Sequence, residues 1–307
     1  MFAAAKSESL VTKSLVLKLS DERLDDWVRV LNMGSRKLQA DATLSAQDVR
    51  RIIHLGLVDV GHMYLELERA LPTATARLQI VGRESATLND FKTLPGRSEA
   101  GYELLNHILT ICRKEKVLSV AAWVSQNDAH LSDMLASYTF VPRYIRTRMK
   151  IQLTTTPEDV RLDSAYVVEE HEGLQPEGIL RWGLGPRADG VGLTELRNVL
   201  ESRWRSSVSL RRKGQDEPFV VGCVSDPDRR HGWILVKENQ SPHDIQSWPL
   251  VEMLKRVLLV MYGQGVRDIM CEVDASLTFQ SPFMEIGFRS ETMYFEFLLS
   301  LMHDSSS

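Results

Sequence analysis

No apolar run in these 307 residues approaches the roughly 20 needed to cross a bilayer. Charge of one sign is scarce too: 37 basic against 41 acidic residues leave a net charge of −4, which removes the electrostatic footprint of a nucleic-acid binder. Cysteine is sparse. The three thiols, Cys112, Cys223 and Cys271, lack the spacing of a metal site or a redox pair, and read as core residues in a reducing compartment. Met1 to Lys13 has neither the apolar core nor the cleavage site of a signal peptide, so the expected location is the cytoplasm. The remaining composition, 43% hydrophobic and 25% charged, is that of an ordinary globular protein.

What the chain does have is a long internal repeat. Leu250, Met253, Leu254, Val257, Leu258 and Met261 recur at helical spacing, with Ser247 as a possible cap and Pro249 in the first turn, until Gly263 and Gly265 stop them. A strand over 267–273, a helix over 277–285, Gly287-Phe288 and an aromatic strand over 293–297 follow. In that last strand Tyr294 and Glu296 separate the apolar residues at period two. The stretch from Ser98 to Leu153 says the same thing earlier: Leu104, Leu105, Ile108, Leu109 and Cys112 match Met253, Leu254, Val257, Leu258 and Met261, each at a shift of 149. One residue is lost before Thr139-Phe140 meets Gly287-Phe288, at a shift of 148. Solenoid repeats run about 20 to 50 residues, so this period means a duplicated domain. The expected division is 1–153 for the first copy, 154–163 for a polar linker holding Pro157, and 164–307 for the second. Such a duplication predicts one sheet per copy.

Taken in order, the first copy predicts a strand at 14–19, a helix capped near Ser20 and a second opened by Ser45. A strand over 62–68, a turn over 72–76, a strand over 77–81 and a loop over 82–97 follow, the loop long enough to suggest function. The second copy predicts a strand at 165–169, helices over 176–182 and 193–204, and strands over 208–212, 219–224 and 233–237. Ser225-Asp226-Pro227-Asp228 supplies a turn between the last two.

That element order, with the endings "NDAHLSDMLASYTFVPRYIRTRMKIQL" and "DASLTFQSPFMEIGFRSETMYFEFLL", resembles the GNAT superfamily of acyl-CoA-dependent N-acyltransferases, in the tandem layout of the mycothiol synthase type. Asn127 stands about where that family has an Asn, and Gly287-Phe288 keeps its Gly-Phe. The resemblance implies an α/β (α+β) fold of two tandem GNAT-like domains, each a mixed, mostly antiparallel central sheet flanked by helices. It implies acetyl-CoA or another acyl-CoA as cosubstrate, no metal, and direct transfer to a small-molecule or peptide amine by a monomer or homodimer. In that fold the cofactor enters a splay between two parallel strands, its diphosphate lies on free N–H groups at a helix N-terminus, and backbone donors polarise the acyl carbonyl.

The loops ahead of Ser98 and Ser247 hold those places. The family loop has a Gln or Arg, then glycines three and five positions on. In the first copy, anchoring Gly101 at the last glycine puts Glu99 at the middle one, while Gly96, Arg97, Ser98 and the charge of Lys92 remain as cofactor-binding candidates with Asn127. The second loop, with Gln246 and Ser247, has no glycine. The family's Tyr four residues before the Gly is Leu135 in one copy and Phe283 in the other; Glu238 and His243 are the acid–base candidates. Arg187 and Asp189, between the first two helices of the second copy, border the family's acceptor side. Two functions fit: an N-acyltransferase, or a catalytically silent tandem protein that binds a partner in the same groove.

Overall fold

The computed structural model describes residues 14–35, 43–81, 84–173, 187, 190–201, 204–225, 230–237 and 249–301. Its compact units are Met1–Val120 with Leu301–Ser307, and Ala121–Ser300.

Unit one contains β1 (Ser14–Lys18), α1 (Leu24–Ser35), α2 (Ala46–His54), β2 (Met63–Glu68), β3 (Leu71–Val81), β4 (Ser85–Thr93) and α3 (Ser98–Lys114). Strands β1 to β4 pair antiparallel in chain order. Ser45 opens α2 through a reciprocal capping box with Asp48, which satisfies two amides that the helix start leaves without partners. Helix α1 is pinned by Trp27, whose indole N–H donates to the Tyr64 carbonyl at 3.0 Å. Helix α3 buries Leu104, Leu105, Ile108, Leu109 and Cys112.

Two sequence expectations fail here. The turn sits at Arg69 and Ala70, both left-handed (φ 51° and 66°), as a two-residue hairpin requires. Pro72 is therefore inside β3, tolerated beside a register shift opposite Glu66 and Leu67. The expected loop over 82–97 is mostly strand β4. Its alternation is disguised because Thr87 and Asn89 are buried along with Ala86 and Leu88.

Unit two begins within β5 (Ser119–Ser125) and continues through α4 (Ala129–Ser137), β6 (Val141–Gln152), β7 (Tyr166–Glu172) and α5 (Leu193–Glu201). It is completed by β8 (Trp204–Arg212), β9 (Val220–Ser225), β10 (His231–Val236), α6 (Leu250–Gly263), β11 (Asp268–Asp274), α7 (Leu277–Glu285) and β12 (Arg289–Ser300). Pro249 is the N-cap of α6 rather than a residue of its first turn; Ser247 and the predicted helix over 176–182 lie outside the described residues.

The repeat survives in the element bounds. Shifting β5 by 149 gives β11, and shifting α4 and β6 by 148 gives α7 and β12, end for end. The strand order is β5-β12-β6-β11-β10-β9-β8-β7, so the closing strands are exchanged: β6, from the first copy, pairs with β11 and β12 of the second. In the β6–β12 register Arg146 faces Tyr294, and these are the same repeat position, 148 apart. Equivalent residues oppose each other, which makes the pairing symmetric.

On one side of this sheet Met149, Val208, Val220, Ile234 and Val273 pack under Met253, Leu254, Val257 and Met261 of α6 in a continuous apolar core. Gly222 makes the approach possible: a Cβ there would come within 2.5 Å of the Met261 sulfur. The strand residues that alternate with these form the polar side.

The repeat also yields a stability prediction. Thr139 (φ 63°) occupies the left-handed position held in the second copy by Gly287 (φ 101°). A β-branched residue there is strained by about 1–3 kcal/mol, less the extra chain entropy that glycine gives the unfolded state. Thr139→Gly is expected to raise the unfolding free energy by about 0.5–1 kcal/mol in urea titration, and Gly287→Ala to lower it by at least as much.

Candidate functional site

In unit one the segment from β4 into α3 combines a bulge, a turn and an open helix end. Thr75 pairs with Lys92 and Arg77 with Asn89, so Asp90 and Phe91 together face the single residue Ala76. Asp90 is left-handed at φ 50°. Its carboxylate is held by Arg77 at 2.7 Å, with the two side chains only 5% and 3% exposed. A bulge of this kind takes backbone groups out of the ladder and re-aims them. The chain then turns at Gly96 (φ 77°), with the Arg97 amide donating to the Leu94 carbonyl, and enters α3.

Arg97 is the N-cap and makes no side-chain capping bond; Ser98 is the first helical residue rather than the cap. The helix therefore begins without the side-chain acceptor that usually occupies its first amides, and an N-terminus in that state favours an anion. Two features oppose one. Glu99 is in the first turn, and the Arg97 guanidinium pairs with Glu68 at 2.7 Å.

In unit two the parallel strands β10 and β11 part. Their register ends at Ile234 and Cys271, whereas β10 runs on to Val236 against Val220 of β9, and β11 to Asp274 against Arg146 of β6. Glu272 is the first residue of β11 past the divergence, on the polar side of the sheet, and it is 2% exposed. Arg187 meets it with two bonds, Nε to Oε1 at 2.5 Å and an NH2 nitrogen to Oε2 at 2.9 Å. The same NH2 group reaches both Glu195 oxygens, at 2.9 and 3.0 Å. Arg148 bonds Glu195 and, at 3.2 Å, Glu272, and Arg146 donates to the Glu272 carbonyl. Arg187 and Arg148 also lie over the Tyr294 ring, 4.0 and 5.0 Å from its centre.

This cluster fixes protonation states. Burial alone penalises the Arg187 and Arg148 charges, but Glu195 and Glu272 outweigh it and raise both groups above their ordinary value. Burial works against the Glu195 carboxylate as well, and Arg187 and Arg148 reverse that, bringing it from 4.5 down to about 2. Burial, followed by Glu195, pushes the Tyr294 phenol up. The Glu195 contribution to stability is thus complete above pH 4.5 and is lost as the pH falls towards 2. The urea midpoint measured from pH 6 to pH 3 is expected to fall more steeply for the native chain than for Glu195→Gln.

Of the residues picked out by sequence, Lys92, Gly96, Arg97, Ser98 and Gly101 lie along the β4–α3 segment of unit one, and Asn127 belongs to unit two. Asn127 is exposed, and its amide donates to Ser125 Oγ. Glu238, His243, Gln246, Ser247 and Asp189 are outside the described residues. Leu135 and Phe283, at the family's tyrosine position, are fully buried. Arg187 lies inside the ionic cluster. The other members, Arg146, Arg148, Glu195, Glu272 and Tyr294, carried no motif; the available signal was the alternation of Arg146 and Arg148 with Ile145, Thr147 and Met149 along one strand. Cys112, Cys223 and Cys271 are all buried and none forms a disulfide, and burial pushes the Cys112 thiol up to about 11 and Cys223 to about 12. Among the described residues no side-chain group is arranged to hold a metal, and no helix is long and apolar enough to cross a membrane.

No family sequence model and no curated protein matches the chain by sequence. Solved structures do match. A GCN5-related N-acetyltransferase from Sphaerobacter thermophilus is 13% identical, with a TM-score of 0.63 over 94% of this chain and 95% of that one. A tandem GNAT protein from the clavulanic acid biosynthesis pathway is 12% identical, with a TM-score of 0.62 over 95% of this chain and 100% of that one. A GCN5-related N-acetyltransferase from Anabaena variabilis is 9% identical, with a TM-score of 0.58 over 93% and 72%. What is shared at these identities is the fold: the chain has the tandem GNAT fold, a mixed and mostly antiparallel sheet flanked by helices.

Proposed function

We propose that the chain is an acyl-CoA-dependent N-acyltransferase that passes an acyl group, from acetyl-CoA or another acyl-CoA, directly to an amine. The observation that carries this reading is the bulged β4 leading through Gly96 into the α3 N-terminus, whose N-cap side chain makes no capping bond. In this reading the cofactor diphosphate lies on the first amides of α3, with Gly96, Ser98 and Gly101 allowing close approach and Lys92 and Arg97 supplying charge.

The amine, as free base, adds to the thioester carbonyl, and the oxyanion accepts from backbone donors on the strand beside the cofactor. Donors so placed contribute roughly 2.7–4 kcal/mol to such a transition state. The C–S bond then breaks, the CoA thiolate takes up a proton and the amide leaves. Glu238 and His243 are the acid–base groups of this scheme, since Leu135 and Phe283 carry no proton. The second copy, with its glycine-free loop at Gln246 and Ser247 and its divergence filled by the Arg187–Glu272 cluster, holds no acyl-CoA of its own in this reading. The test is release of free thiol from acetyl-CoA over a panel of primary amines: release that depends on amine and is reduced in Arg97→Ala supports the reading.

A silent tandem protein is the second reading, favoured by the Arg97–Glu68 pair and by Glu99 in the first turn of α3. Absence of both thiol release and acetyl-CoA binding selects it.

A further inference from the structure

Strand exchange brings three side chains together on the polar side of unit two. Glu296 of β12 lies directly across from Tyr144 of β6. The Tyr144 ring meets Trp123 of β5 edge to face, 5.9 Å between centres, and its hydroxyl bonds Asp274, which holds the ring in place. Behind Trp123 stands Gly190, where a Cβ would fall 2.1 Å from the indole Cδ1. Glu296 itself is half-buried, and its carboxylate makes no side-chain hydrogen bond or ion pair with another described residue. Burial pushes its carboxyl up, and Arg143 draws it partly back.

The repeat shows what such an arrangement accommodates. Glu296 and Arg148 are one repeat position, as are Trp123 and Glu272. Around Glu272, carboxylates and the Tyr294 ring enclose a cation that the chain supplies itself, the Arg187 guanidinium. Around Glu296 there are again a carboxylate and aromatic rings. A partly desolvated carboxylate next to aromatic side chains suits a cation, because the ring quadrupole and the charge act in the same direction and the ligand replaces lost hydration.

We propose that Glu296, with the rings of Trp123 and Tyr144, seats a positively charged amine of the alkylammonium class. The carboxylate comes from the second copy and the rings from the first, so the seat exists only because β6 and β12 are exchanged.

The test uses the full chain without acyl-CoA, at pH 7 and constant ionic strength. It is titrated with n-butylammonium chloride and, separately, with n-butanol, following the urea midpoint and tryptophan emission. Butylammonium is expected to raise the midpoint saturably and butanol at the same concentration to leave it unchanged. Glu296→Gln is expected to weaken butylammonium binding at least tenfold. Equal binding of butanol, or unchanged affinity in Glu296→Gln, overturns the proposal. If that variant folds poorly, Trp123→Leu takes its place: a loss of the emission change with weakened binding supports the seat, and full affinity overturns it. Turnover of acetyl-CoA without butylammonium binding defeats this inference alone, whereas binding at Glu296 in a chain that never binds acetyl-CoA defeats the acyltransferase reading and leaves the seat standing.

Discussion

Glu272→Ala is expected to lower the unfolding free energy by about 3–5 kcal/mol. The size follows from what remains behind. Arg187 and Glu272 are 2% exposed and Arg146 is 1% exposed, so removing the carboxylate leaves guanidinium groups in a site that water cannot reach. Glu195 then faces Arg187 and Arg148 alone. A surface ion pair is worth only about 0–1 kcal/mol, and the ion pairs of Lys255 with Glu158 and Arg256 with Asp159 belong in that class. Urea titration separates the two kinds: neutralising Glu158 is expected to move the midpoint little, and Glu272→Ala to move it by most of the folding stability. A loss under about 1 kcal/mol for Glu272→Ala means the cluster is hydrated.

Arg77→Ala is expected to have an effect of similar size, about 3–5 kcal/mol, because it takes the 2.7 Å guanidinium partner from an Asp90 carboxylate that is only 5% exposed. Asp90→Ala removes the charge and leaves Arg77 without its 2.7 Å partner. The double variant removes both, and its cost should be well below the sum of the singles, with a coupling of about 0.5–3 kcal/mol. Strict additivity would show that the pair does not hold the bulge. Since the bulge re-aims the backbone ahead of α3, acetyl-CoA binding should weaken in both single variants.

The duplication was legible because apolar residues at helical spacing survive in both copies: Ile108 and Val257, or Leu109 and Leu258, are buried alike. The bounds of α7, at 277–285, follow from the same kind of pattern. Strand β4 was not legible, because a buried strand carrying Thr87, Asn89 and Asp90 has no apolar alternation to detect. The exchange of β6 and β12 was hidden for a different reason. Both partners of a closing strand present the same repeated sequence, so local pattern cannot say which copy is paired. The ionic cluster was hidden with it, since Arg146, Arg148 and Tyr294 read as a solvated strand face until β11 and α5 are laid beside them. Arg187 alone carried a signal, through its place between two helices. The glycine-poor loop ahead of α3 was read directly, and its structure adds the Glu68 partner of Arg97, which lies 29 residues away in sequence.

The most direct measurement is the unfolding free energy of the full chain with and without acetyl-CoA, repeated for Arg97→Ala and Gln246→Ala. With cofactor at 100 times its dissociation constant the native chain should gain about 2.7 kcal/mol, most of it lost in Arg97→Ala and retained in Gln246→Ala. No gain at millimolar acetyl-CoA, or a gain lost in Gln246→Ala and kept in Arg97→Ala, contradicts the assignment of the cofactor to the α3 N-terminus.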